Sequence, residues 1–258
     1  MDCSTNAIVL KAIKYGETSL IINIYTELSG LQTVIVKGVR THSKKKLFTM
    51  GMFQNLNILK VNFSRKKQIG IGILRSAKVI QALSYQGTDI FKSSISIFSA
   101  ELLNNSIKEE EKNEALYNFL VQSIRWLDDI EKPANFTIGF MIQLTKFLGI
   151  YPDTTDIDKK YFDLVNGVFT NNNSSKGCYA GRNILVLKKF LGMKFDEVES
   201  VYINRTERME LLDLIVKYYQ THIQGFKPPN ALYILHEVFD YNNHLFYFSF
   251  YFFTKYRG

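Results

Sequence analysis

Residues 7–36 read AIVLKAIKYGETSLIINIYTELSGLQTVIV, and this stretch decides the fold. Ala7–Ile13, Leu20–Tyr25 and Leu31–Val36 are short runs rich in β-branched residues, separated by Gly16 and by Ser29-Gly30. Such residues suit a pleated, half-buried surface, and glycine takes the positive φ that a tight turn needs. Two more strand candidates follow at Phe53–Val61 and Gln68–Leu74, joined by the basic turn Ser64-Arg-Lys-Lys67. Five short strands with close turns and no helical period predict a small closed barrel, because closure hides the sheet edges. The five-stranded OB-fold is the commonest such barrel that binds single strands.

Downstream the period changes. Ile90, Ile95, Phe98, Leu102 and Leu103 recur at helical spacing, as do Leu116, Phe119, Leu120, Ile124 and Leu127. Further helices are predicted over Phe136–Leu148, Ile184–Leu191, Glu207–Ile223 and Ala231–Phe239. Asn113, Asn135 and Asn230 read as caps, Pro133 and Pro228-Pro229 as breakers, and Gly149 and Gly225 follow helix ends. Glu109-Glu-Glu111 reads as a solvated helix start and Phe162–Phe169 as a strand-like piece before a polar loop at 171–176. The expected architecture is α+β. An N-terminal five-stranded OB-fold barrel spans 1–80, a mainly α-helical domain 81–240 and an aromatic tail 241–258. Seven of the nine residues in Leu245–Phe253 are Phe or Tyr, which reads as an appended tail, with an interfacial or partner-binding segment as the alternative.

Charge is distributed unevenly along the 258 residues. Residues 1–80 hold 13 Lys and Arg against 3 Asp and Glu, whereas residues 81–258 hold 19 against 21. The first third therefore carries the whole positive field of a chain whose net charge is +8, and a polyanion is its expected target. Two cysteines, Cys3 and Cys178, are too few for a zinc site or a disulfide framework. No apolar run approaches the roughly 20 residues of a membrane-spanning helix, and the N-terminus lacks a secretory pattern. A cytoplasmic, nucleoid-associated protein is expected.

Most enzymatic readings find no support. GxxxxGK[ST], GxSxG and HExxH are missing, and Gly70-x-Gly72 is followed by Arg75 where a dinucleotide fingerprint needs glycine. His42, His222, His236 and His244 lie far apart, and Asp153, Asp156 and Asp158 lack the glycine and distal glutamate of a calcium loop. No catalytic residue, metal ligand or cofactor is expected. What stands out is the run from Lys37 to Lys46, with five cations among ten residues, and Arg65-Lys66-Lys67 on the turn between the last two strands. Lys37, Arg40, Lys44, Lys45, Lys46, Arg65, Lys66 and Lys67 are the expected nucleic-acid contacts, neutralising phosphates without reading sequence. Tyr15, Tyr25, Phe48 and Phe53 are candidate stacking faces, about half of which must be core instead.

These residues also carry a family resemblance. Val9-Leu-Lys, Tyr15-Gly-Glu-Thr-Ser-Leu, Tyr25-Thr-Glu-Leu-Ser-Gly30 and Val36-Lys-Gly-Val-Arg40 resemble the N-terminal barrel of the bacterial recombination mediator family RecO. Leu74-Arg-Ser-Ala77, Phe147-Leu-Gly-Ile-Tyr-Pro-Asp153 and Leu235-His-Glu-Val-Phe239 extend the likeness in order over about residues 5–240. The resemblance implies binding of single- and double-stranded DNA and annealing of complementary strands. It implies partnership with RecR and with the C-terminal tail of single-strand binding protein, in loading RecA onto coated DNA. Arg125, Lys146, Arg182, Lys188 and Lys189 are alternative partners for that acidic tail. Many members carry a four-cysteine zinc module beyond the Tyr151–Phe162 segment, where this chain has only Cys178. Two other classes remain open: a nucleic-acid-processing enzyme anchored by the barrel, and a scaffold held to a membrane by its tail.

Overall fold

The computed structural model describes residues 2–41, 47–65, 70–85, 87–173 and 177–240. Strands β1 (Asp2–Tyr15), β2 (Ser19–Thr26), β3 (Gly30–Val36), β4 (Ile58–Ser64) and β5 (Gly72–Gln81) form a closed barrel in the order β1-β2-β3-β5-β4. The long β1 pairs with β4 through its first half and with β2 through its second. Alternate residues fill the interior, among them Val9, Ile22, Val34, Val61 and Phe63, and Phe48 and Phe53 join the same core with rings 6.1 Å apart. The last two strands start later than the apolar run suggested. A 3-10 turn occupies Met50–Phe53 before β4, and β5 runs on to Gln81 past the predicted end. There the side chains that alternate inward are Leu59, Val61 and Phe63, so pleat phase rather than hydrophobicity sets the boundary.

A bulge between Val9 and Lys11 inserts Leu10 and shifts the alternation of β1. Up to it, Ile8 and Leu10 alternate with the inward Ala7 and Val9 and join the core of the helical domain, together with Tyr25, Leu56 and Ile58. That domain comprises α1 (Ile90–Ser106), α2 (Glu114–Asp129), α3 (Phe136–Phe147), α4 (Arg182–Phe190), α5 (Arg205–His222) and α6 (Leu232–Asp240). α3 lies at the centre, with Phe136 through Thr145 all buried. Tyr25 stacks on Tyr117 at 6.5 Å, and Asn23 Nδ2 donates to Asn104 Oδ1 at 2.7 Å. Burial pushes the Tyr25 and Tyr117 hydroxyls up to about 12, with nearby Glu109 and Glu27 adding to the respective shifts.

Four expectations from local sequence need correcting. Glu109–Glu111 does not start a helix. It belongs to the loop between α1 and α2, because Asn113 caps α2 and the Glu109 carbonyl accepts from Leu31 N at 3.0 Å. Asn135 makes no side-chain cap. The Glu199 carboxylate accepts from its backbone N–H at 2.9 and 3.0 Å, so a carboxylate from another element meets the positive end of α3. Asn230 is likewise replaced, as Glu101 of α1 accepts from Ala231 N at 3.0 Å just ahead of α6. Phe162–Phe169 is a hairpin rather than one strand: β6 (Tyr161–Asp163) turns through Gly167 into β7 (Val168–Thr170), and β8 (Cys178–Tyr179) joins β6. No helix among the described residues is long and apolar enough to cross a membrane.

Candidate nucleic-acid interface

Of the eight expected contacts, the structure describes three. Lys44, Lys45, Lys46, Lys66 and Lys67 lie outside the described residues, as does the aromatic tail. Lys37 leaves the end of β3 exposed. Gly38 follows at φ 71°, and the chain folds back over the β1–β2 turn: Arg40 N donates to Thr18 O at 3.1 Å and the Arg40 guanidinium to Gly16 O at 3.1 Å. Tyr15, Lys14, Lys37 and Arg40 are thereby gathered at one end of the barrel. Tyr15 is 53% exposed, whereas Tyr25, Phe48 and Phe53 are buried at 1%, 5% and 3%. Tyr15 is thus the one aromatic of the four that could take a base on its face.

Register reveals a feature that the sequence did not. Ile13 lies opposite Ile21, Ile21 opposite Ile35, and Ile35 opposite Ile73, so four isoleucines form one row across β1, β2, β3 and β5. Directly paired residues share a face. These four are absent from the barrel interior, and Ile13 is 48% exposed while the other three are half-buried. Three inter-strand steps of about 4.8 Å make the row about 14 Å long. Lys11, opposite Asn23, flanks it on one side. At the far end Ser64 sits opposite Ile73, and Arg75 donates to Ser64 Oγ at 3.0 Å. An apolar strip bordered by cations and ending at an exposed tyrosine can lay down unpaired bases while holding their phosphates. A signal for it lay in the alternation Lys11-x-Ile13-x-Tyr15, once the bulge sets its phase.

Arg65 is placed differently from Lys37. Its side chain is only 15% exposed and its guanidinium lies 3.5 Å from Glu110 of the α1–α2 loop. The candidate tail-binding cations sit on three helices with separate partners. Arg125 donates to Gln81 on α2's barrel side, Lys146 lies over Tyr151, Arg182 pairs with Glu207, and Lys188 donates to Lys159 O beside Phe169. Lys189 is exposed on α4. Among the described residues no group of three His, Cys, Asp or Glu could hold a metal ion. At β6–β8 the chain has one cysteine, Cys178, whose Sγ donates to Asn172 O at 3.5 Å, and Phe162 packs on Phe169 and Tyr218, so a four-cysteine zinc module finds no fit there.

A closed five-stranded OB-type barrel braced by a helical domain defines the class of this protein. Models of the Recombination protein O N-terminal and C-terminal regions match residues 1–83 and 87–231. The chain is 38% identical to a DNA repair protein RecO of Christiangramia forsetii, over 91% of this chain and 98% of that one. It is 38% identical to the Flavobacterium johnsoniae RecO over 93% and 100%, and 34% identical to a Bacteroides fragilis RecO over 92% and 98%. This chain belongs to the RecO family of DNA repair proteins.

Proposed function

We propose that the protein is a recombination mediator without catalytic turnover, which binds single- and double-stranded DNA through the barrel and anneals complementary strands. The observation that supports this most is the isoleucine row with Lys11 on one border and, two residues on from Ile13, Ile35 and Ile73, Tyr15, Lys37 and Arg75 on the other. Apolar side chains gain nothing from a duplex whose bases are stacked inside, but they gain contact with splayed bases. Cations on both borders screen the repulsion between two backbones, which is what annealing needs. In this reading the barrel domain covers residues 1–80, the helical domain 81–240, and Lys44–Lys46 and Arg65–Lys67 extend the phosphate path. RecR and the acidic tail of single-strand binding protein would engage the helical domain, where Lys146 and Lys188 each stand beside an aromatic ring, and RecA would be loaded at the nucleoid in the cytoplasm.

The test is a titration of labelled single-stranded DNA at several salt concentrations, with annealing and backbone cleavage read in the same samples. About five phosphate contacts give a slope of log affinity on log salt near −3.5. Replacing Lys44, Lys45 and Lys46 by alanine flattens it by about 2, and no cleavage accompanies annealing. Metal-dependent nicking would point to the processing enzyme instead. An unchanged slope in the triple variant, with binding lost on changing Lys188 and Lys189, would move the site to the helices.

A further inference from the structure

The loop between α1 and α2 reaches one end of the proposed DNA path. Its backbone is seated on β3: Glu109 O accepts from Leu31 N at 3.0 Å. It is seated there because residue 30 is glycine. A Cβ on Gly30 would stand 2.5 Å from both Glu109 O and Glu111 O, closer than any side chain tolerates. The loop is therefore fixed in place rather than trailing in solvent. From it Glu110 projects to the Arg65 guanidinium at 3.5 Å, with the glutamate side chain 50% exposed and the arginine 15% exposed. Arg65 follows directly on Ser64, the residue opposite Ile73 at the far end of the isoleucine row.

We infer that Glu110 is a built-in competitor for phosphate, which occupies Arg65 in the free protein and limits how tightly a DNA strand is held at that end of the barrel. The inference rests on the barrel being the DNA site. A carboxylate and a phosphate oxygen make the same charge-assisted contact with a guanidinium, so one must leave for the other to bind. Glu109 and Glu111, exposed on the same fixed loop, add negative potential where the next phosphate would lie. At the barrel's opposite end Arg40 donates to the Gly16 carbonyl, and among the described residues no carboxylate pairs with it. The two ends of the path thus hold a strand unequally: firmly at Tyr15, loosely at Arg65. A protein that must hand its strand to a partner gains an end from which exchange can begin.

The experiment measures binding of a labelled oligothymidylate by fluorescence anisotropy at two salt concentrations. The full chain is compared with Glu110→Gln, Arg65→Ala, the double variant, and Lys37→Ala/Arg40→Ala. Glu110→Gln should tighten binding about threefold at low salt, the scale of a half-exposed ion pair, and steepen the salt slope by up to about 0.7 as Arg65 takes a phosphate. In the Arg65→Ala background the same change should gain less than half as much. Equal gains in both backgrounds, or no gain at all, overturn the competition. Because Lys37→Ala/Arg40→Ala reports on the site alone, its normal weakening beside a flat Glu110→Gln response defeats only the competitor. If neither variant alters binding, the barrel site falls and the competitor with it. Glu110 is on the surface, and melting curves for each variant verify that the fold is kept.

Discussion

The barrel has two outer walls built of the same material and put to opposite uses. On one wall Ile8, Leu10, Tyr25 and Ile58 are each at most 3% exposed, sunk in the helical core. On the other, Ile13, Ile21, Ile35 and Ile73 stand in register and belong to neither core, the first of them half in water. Isoleucine is the same residue in both. What separates them is one inserted residue in β1 and the placement of α1 and α2, which meet the barrel at Asn23 and Tyr25. A covered isoleucine holds the protein together, and an uncovered one is available to a ligand.

The largest expected effect falls on the covered wall. Tyr25→Ala should lower stability by about 3–5 kcal/mol, the range for emptying a buried aromatic site, while the molecules still folded in the cold bind DNA normally. Chemical denaturation checks the first part and anisotropy the second. Next in size, Tyr15→Ala combined with Lys37→Ala and Arg40→Ala should weaken single-strand binding by at least about 1–3 kcal/mol for the lost stacking. The salt slope should flatten by about 1.4, and the melting temperature should hold. A large drop in melting temperature would mean that this end of the barrel is structural.

Changing Ile13 and Ile35 to serine sharpens the contrast. Binding should weaken about tenfold with the salt slope unchanged, since apolar contacts release no counterions, and stability should fall by no more than about 1 kcal/mol. The smallest effect is alkaline. The folded values of Tyr25 and Tyr117 are raised from 10.0 to about 12, so the stability each contributes is whole below pH 10 and is lost as pH rises through about 12. Tyr25→Phe with Tyr117→Phe should make the decline of stability between those limits shallower, whereas Tyr15→Phe should not. Tyrosine absorbance during alkaline unfolding follows both.

The barrel was legible because its signals are local: β-branched runs, Ser29-Gly30 at the β2–β3 turn and a change of period before Ile90. The helices were legible for the same reason, down to the Asn113 cap. What escaped depends on residues far apart in the chain. Glu199 and Glu101 cap helices that begin 63 residues before and 131 residues after them, and no window along the sequence connects such pairs. The isoleucine row escaped because pairing register converts four scattered residues into neighbours. Of the stacking candidates, Tyr15 could be told from Tyr25 only by what lies above each, a helix for one and solvent for the other. The basic clusters were plain in sequence, and the carboxylate opposing Arg65 was not, since Glu110 arrives from the other domain.

The shared core has a consequence for how the protein is made. A ribosome delivers the barrel strands first, at about 5–20 residues per second. When β5 is complete, the wall holding Ile8, Leu10 and Ile58 has nothing to cover it until α1 and α2 emerge, out to Leu127. For a few seconds of each synthesis the nascent chain shows a greasy flank and is a client for chaperones, and a message truncated between β5 and α2 would yield an insoluble fragment rather than a small working barrel.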